Sequence, residues 1–146
     1  MNTAHLEILL AEDNMDDAEL TMRALRSSKL INHIVHVQDG VDALDFLFGT
    51  GKYEGRDIKQ IPKLILLDLK MPRVDGMEVL EVIKKDQRTK DIPAVVLTSS
   101  RESPDLKKCY ELGANSYIVK PVDHEGLMKA VQEMGMYWMI LNQLPD

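Results

Sequence analysis

Five short apolar runs punctuate the chain, at residues 6–11 (LEILLA), 33–37 (HIVHV), 64–67 (LILL), 94–98 (AVVLT) and 116–119 (SYIV). Each is too short for a stable helix and rich in aliphatic or β-branched residues, the pattern of strands inside a core. The four consecutive aliphatics at 64–67 leave no polar face, so that strand needs cover on both sides. Segments of helical period lie between the runs. Residues 16–27 put Ala18, Met22 and Leu25 on one face, residues 41–48 repeat Val41, Leu44, Leu47 and Phe48, and residues 76–86 carry Met77, Leu80 and Ile83. Residues 103–112 open with a Ser103 cap and Pro104 in the first turn. A last helix is expected from near Asp123 to about Leu141.

Strand followed by helix, five times over, predicts an α/β fold with a doubly wound, five-stranded parallel sheet. Right-handed crossovers that cover both faces require the strand order to reverse once, and the expected order is 2-1-3-4-5. Strands 1 and 3 are then neighbours at the switch point, where such sheets bind ligands beside their carboxyl ends. There is no internal repeat and no linker. Residues 50–63 read as a long polar loop within one domain that fills the whole chain, 1–146.

Composition narrows the function more than the fold. A chain of 146 residues with 45% apolar and 29% charged residues is globular and sized for one domain. The net charge of -6 argues against nucleic acid as the main ligand, because phosphate binding needs a basic face. The single cysteine, Cys109, cannot form an internal disulfide and reads as a helix residue without a chemical role. The first residues, MNTAHLEILLAED, lack the pattern of a signal peptide, and no apolar run is long enough to span a membrane. A cytoplasmic protein with no attached output domain is expected.

The candidate chemistry lies at the strand ends. Glu12 and Asp13 follow strand 1, Asp68 follows strand 3, Thr98 closes strand 4 and Lys120 follows strand 5, so all five are expected on one edge. Converging carboxylates repel unless a cation sits among them or one keeps its proton. An all-oxygen set selects a hard metal, and Mg²⁺ is the natural ion. Lys120 and Thr98 add a fixed charge and a hydroxyl suited to an anion arriving at Asp68, which suggests phosphoryl transfer to a carboxylate. Taken singly, Glu12 or Asn14 reads equally well as a solvated helix cap; the joint occurrence at four strand ends favours a site.

The motifs LLAEDN (9–14), LILLDLKMPRVDG (64–76), VVLTSS (95–100) and ANSYIVKP (114–121) resemble the response regulator receiver domains of two-component signalling, with a match over roughly 5–140. The resemblance implies the flavodoxin-like receiver fold and assigns the roles. Asp68 is the phosphoacceptor. Glu12, Asp13, Asp68 and the Lys70 backbone carbonyl serve Mg²⁺. Lys120 contacts the phosphoryl group, Thr98 and Tyr117 are the switch hydroxyl and aromatic, and Lys70 and Ser100 face the water that attacks the acyl phosphate. The Lys120–Pro121 bond is expected to be cis. The protein is then a phosphoacceptor that takes part in its own phosphorylation and dephosphorylation, not a turnover enzyme.

The donor is expected to be a phosphohistidine on a separate sensor histidine kinase. His33 and His36 are three apart in a strand and point to opposite faces, while His5 and His124 lie near element ends. Phosphorylation is expected to draw Thr98 inward, let Tyr117 rotate toward the core and change the surface of helix 4, strand 5 and helix 5. An unknown downstream protein would read that surface. The last helix has a core stripe of Leu127, Val131, Met134, Trp138 and Leu141, which leaves Met136, Tyr137, Met139 and Ile140 without a core to enter. With Tyr110 they suggest a homodimer through helix 4, strand 5 and helix 5, in preference to a tail folded back on its own monomer, and a monomer at high micromolar concentration in the ultracentrifuge would refute it. This terminal helix and the long loop before strand 3 make the chain similar to the small response regulators paired with phytochromes. The phosphatases of the haloacid dehalogenase class are a rival, but they carry a D-x-D pattern after strand 1 where this chain has EDN. A flavodoxin-like cofactor carrier would want a Gly- or Ser/Thr-rich loop at the same place.

Overall fold

The apolar runs form one parallel sheet of β1 (Glu7–Ala11), β2 (His33–Val37), β3 (Leu64–Asp68), β4 (Ala94–Thr98) and β5 (Ser116–Val119). The order is β2-β1-β3-β4-β5, as the alternation of elements predicts. Helices α1 (Met15–Ser27), α2 (Gly40–Phe48), α3 (Gly76–Lys85), α4 (Pro104–Glu111) and α5 (His124–Glu133) connect and flank the strands. These features come from a computed structural model that describes residues 7–27 and 33–135.

The aliphatics of β3 account for the two-sided cover. Leu64 and Leu66 face α1 and α5 in a cluster with Ile8, Leu10, Leu25 and Val131. Ile65 and Leu67 face α2, α3 and α4 with Leu9, Phe46, Leu80 and Val96. Side chains alternate along a strand, so four aliphatics in a row supply both cores. Each of the four is fully buried, and each contributes about 1.5–3 kcal/mol relative to exposure. This central strand is the rigid support on which the acid at its end stands.

Two helices differ in detail from the expected pattern. Helix α2 buries Ala43, Phe46 and Leu47, while Leu44 and Phe48 are only partly covered. Residues 43, 46 and 47 form the i, i+3, i+4 face turned to the sheet, and Asp39 caps the helix by accepting the Asp42 N–H at 2.8 Å. Helix α5 ends at Glu133, with Gly135 in the left-handed region at φ 72, a common way to stop a helix that was expected to continue. Met136, Tyr137, Trp138, Met139, Ile140 and Leu141 lie outside the described residues, as does His5. The polar loop at 50–63 contains a short 3-10 turn, Gly51–Tyr53, and is pinned by the Arg56 guanidinium, which stacks 3.7 Å from the Phe46 ring centre and donates to the Phe46 carbonyl at 2.9 Å. Among the described residues no helix is long and apolar enough to cross a membrane.

Candidate functional site at the carboxyl edge of the sheet

The register of the sheet brings the strand ends together. Asp68 is the last residue of β3 and pairs with Leu97, so it belongs to the strand rather than following it. The Glu12 N–H donates to the Val37 carbonyl at 3.0 Å and the Lys120 N–H to the Thr98 carbonyl at 2.7 Å, which carries the sheet's hydrogen bonding one residue beyond β1 and β5. Glu12 is fully buried and Asp68 nearly so, whereas Asp13 is exposed. One oxygen from each of Glu12, Asp13 and Asp68 lies within 4.8 Å of the others. These acids open, with Lys70, Thr98 and Lys120, onto a cleft of about 460 Å³.

Lys120 stands in the middle of this group. Its Nζ is 2.9 Å from Glu12 Oε1, 3.3 Å from Asp68 Oδ1 and 3.1 Å from Asp17 Oδ2. Burial works against the ammonium, but contact with Glu12, the field of Asp68 and the bond to Asp17 outweigh it and hold the group charged well above the usual lysine range. Glu12 shifts the other way for a carboxylate. Burial first, and then the neighbouring Asp68 carboxylate, push its acid form up to about 7 against the opposing pull of Lys120. Although Glu12 Oε1 is near Lys120 Nζ, it has no well-angled hydrogen-bond donor and is a buried oxygen held by charge alone. Such an oxygen, beside two more carboxylates, suits a hard divalent cation.

The other expected residues are placed as follows. The Lys70 N–H turns back to Asp68 Oδ1 at 3.4 Å, so the chain just after the acid folds over it. The Thr98 hydroxyl donates to the Ser100 carbonyl at 3.0 Å and accepts the Ser100 N–H at 3.3 Å, which ties it to the β4–α4 loop. Ser100 uses its hydroxyl to accept the Glu102 N–H at 3.0 Å, while Ser99 and Ser103 line the cleft. Tyr117 is half-buried and meets the exposed Tyr110 edge to face, with ring centres 6.3 Å apart. The Lys120–Pro121 bond is cis. Cys109 is buried in α4, where desolvation raises its thiol pKa and disfavours the reactive thiolate.

Three contributors escape a reading of the sequence. Asp17, in the first turn of α1, reaches Lys120 across the fold, and its acidic turn had the ordinary explanation of complementing the helix dipole. Arg73 adopts φ 67 and clamps the β3–α3 loop to α2 through bonds of 2.9 Å to Asp39 and 3.2 Å to Asp42. His36 Nε2 lies 2.8 Å from the Glu12 carbonyl oxygen and supports the β1–α1 loop from β2. No local pattern distinguishes any of them, since each acts on a residue distant in sequence.

Comparison with known proteins places this geometry. Residues 8–132 match the model of the response regulator receiver domain. The chain is 42% identical over 138 residues to the probable methanogenesis regulatory protein FilR2 of Methanothrix harundinacea, covering 94% of this chain and 86% of the relative. It is 39% identical over 138 residues to response regulator Rcp1 of Synechocystis, covering 94% and 92%. Among solved structures, the bacteriophytochrome response regulator AtBRR superposes with a TM-score of 0.85 at 47% identity over 93% of this chain and 96% of its own. The phosphorylated cyanobacterial phytochrome response regulator RcpA gives 0.77 at 38% identity over 98% and 100%. The Mn²⁺-bound form of Rcp1 gives 0.74 at 40% identity over 96% and 99%.

Proposed function

Because the chain belongs to the response regulator receiver family, we propose that it is a phosphoacceptor in which Asp68 takes a phosphoryl group from the phosphohistidine of a sensor histidine kinase. The observation that carries this assignment is the Asp68 carboxylate at the cleft, 3.3 Å from the Lys120 ammonium and within 4.8 Å of the Glu12 and Asp13 oxygens. The Asp68 oxygen attacks phosphorus, the P–O bond forms as the P–N bond breaks, and the electron pair leaves on the imidazole nitrogen. Lys120 stands 3.3 Å from the nucleophile and draws a phosphoryl oxygen toward it. Glu12, Asp13, Asp68 and the Lys70 carbonyl would hold Mg²⁺, which when bound neutralises charge on the phosphoryl oxygens. The Mn²⁺-bound form of Rcp1 and the phosphorylated RcpA support both parts.

Incubation with acetyl phosphate and Mg²⁺ tests the reading. One alkali-labile acyl phosphate per chain is expected, with no turnover. Sustained hydrolysis of a small phosphate ester would instead make the chain an aspartate-nucleophile phosphatase.

Metal binding should depend on pH with a defined sign. The Glu12 carboxyl titrates near 7 when folded against 4.5 when free, so between these values the folded protein holds a proton that the unfolded chain has released. Its burial therefore favours the metal-free fold least at high pH, and a metal must displace that proton at low pH. Mg²⁺ binding measured calorimetrically should be about tenfold weaker at pH 6 than at pH 8, and Glu12→Gln should flatten the profile. A flat profile in the wild type removes Glu12 from the ligand set.

In the switched state Thr98 would leave the Ser100 carbonyl for a phosphoryl oxygen, freeing space toward which Tyr117 moves from its packing on Tyr110. Mg²⁺ with beryllofluoride should then shift amide resonances across α4, β5 and α5; unchanged spectra there would sink the switch. The phytochrome partnership is supported by likeness to AtBRR and RcpA. The 42% identity to FilR2 favours a second reading with another class of kinase. Phosphotransfer profiling against the host's histidine kinases separates the two.

A further inference from the structure

Lys120 has a partner that neither a cation nor a phosphoryl group would claim. Of its three carboxylate neighbours, Glu12 and Asp68 belong to the convergent acids, whereas Asp17 stands outside that set. Asp17 is nevertheless the acid to which Lys120 Nζ donates a well-formed hydrogen bond, at 3.1 Å, although the two are 103 residues apart. Asp17 comes from a stiff place. It lies in the first turn of α1, and its backbone N–H is tied at 2.9 Å to the Asn14 side chain that opens the helix. The Lys120 side chain is only 17% exposed, so its ammonium sits within the site rather than in open solvent.

We propose that Asp17 is a positioning residue for Lys120: it anchors the ammonium from the α1 side, so that its remaining N–H groups stay aimed at the Asp68 carboxylate and at phosphoryl oxygens arriving there. This inference rests on the assignment of Asp68 as acceptor. A lysine ammonium ends a flexible stem with three donors, and its reach must be restricted before reaction for it to stabilise a transferring group. Acyl-phosphate formation moves the negative charge that faces Lys120 from the Asp68 carboxylate to the phosphoryl oxygens, so the ammonium needs an anchor that stays in place. A carboxylate outside the metal set is not esterified in the cycle, and a carboxylate binds the ammonium more strongly than a neutral amide would.

The test uses the full chain as wild type, Asp17→Asn, Asp17→Glu, Lys120→Gln and the Asp17→Asn/Lys120→Gln pair. Two quantities are read: the rate of labelling by acetyl phosphate at saturating Mg²⁺, and the Lys120 ammonium resonance of ¹⁵N-lysine-labelled, metal-free protein. Asp17→Asn is expected to slow labelling about fivefold to tenfold, and Asp17→Glu to recover most of the loss. In the Lys120→Gln background Asp17→Asn should have no further effect, because the residue acts through the lysine. The ammonium signal, sharp in the wild type, should broaden or vanish in Asp17→Asn. An Asp17→Asn rate within about twofold of wild type, an equal slowing with and without Lys120, or an unmoved ammonium signal overturns the inference. If the wild type takes no label while the ammonium signal still collapses in Asp17→Asn, the acceptor assignment fails and the anchoring of Lys120 stands.

Discussion

Asp68→Asn is expected to abolish acyl-phosphate formation, lowering labelling by acetyl phosphate by a factor on the order of 10³ or more. The amide keeps the shape of the carboxylate but has neither its charge nor a nucleophilic oxygen. Its environment makes compensation difficult. Asp68 is nearly buried at the end of a strand whose four preceding residues are locked in two cores, so its place is fixed by the fold. Glu12 is fully buried, and Asp13 stands exposed two residues beyond the neighbouring strand β1. The same substitution removes one of three converging carboxylates and should weaken Mg²⁺ binding by at least about tenfold. Retained label on the Asp68→Asn chain, at one equivalent and with unchanged melting behaviour, would move the acceptor elsewhere.

A second large effect is expected from one added methyl group. Gly76 opens α3, and its N–H donates to the Leu69 carbonyl at 2.9 Å, so the helix start is pressed against the end of β3. A Cβ at this position would lie 2.2 Å from the Asp68 carbonyl oxygen and 2.7 Å from the Leu69 Cα, both backbone atoms that no rotamer change can withdraw. Gly76→Ala must therefore push α3 away from the sheet or bend the strand that carries the acid. Overpacking of this kind costs about 3 kcal/mol, which lowers the melting temperature by about 6–12 °C in a domain of this size. Because the displaced backbone is that of Asp68 itself, phosphorylation should fall by about 10² even in the folded fraction, since a shift near 1 Å disrupts alignment on that scale. A melting temperature within about 2 °C of wild type, with normal labelling, would show that the contact yields without consequence.

In the sequence the glycine stood only as the last residue of LILLDLKMPRVDG and the first of the helical segment 76–86. Its role in spacing α3 from β3 is a matter of distance between two backbones, which no local pattern expresses. The same division runs through the site. Leu64–Asp68 announces a two-sided strand ending in an acid, because side-chain alternation is a property of consecutive residues. Glu12, Asp13, Thr98 and Lys120 could be expected beside it because parallel strands all end on one edge. The helix faces were read less well: in α2 Ala43 and Phe46 are buried in the core, while Leu44 packs against it only partly covered, because a single helical period fits more than one face of so short a segment.

By itself the sequence determined the strand order, the acidic edge and the acid at its centre, since each follows from periodicity and from the rule that crossovers alternate around a parallel sheet. Only the tertiary structure decided how charge is shared there. It placed Lys120 among Glu12, Asp17 and Asp68, buried Glu12 deeply enough to favour its proton, and clamped the β3–α3 loop to α2 through Arg73. Periodicity records which way a side chain points from its own element. Coulomb interactions and desolvation depend on separations between elements, and these exist only once the chain has closed on itself.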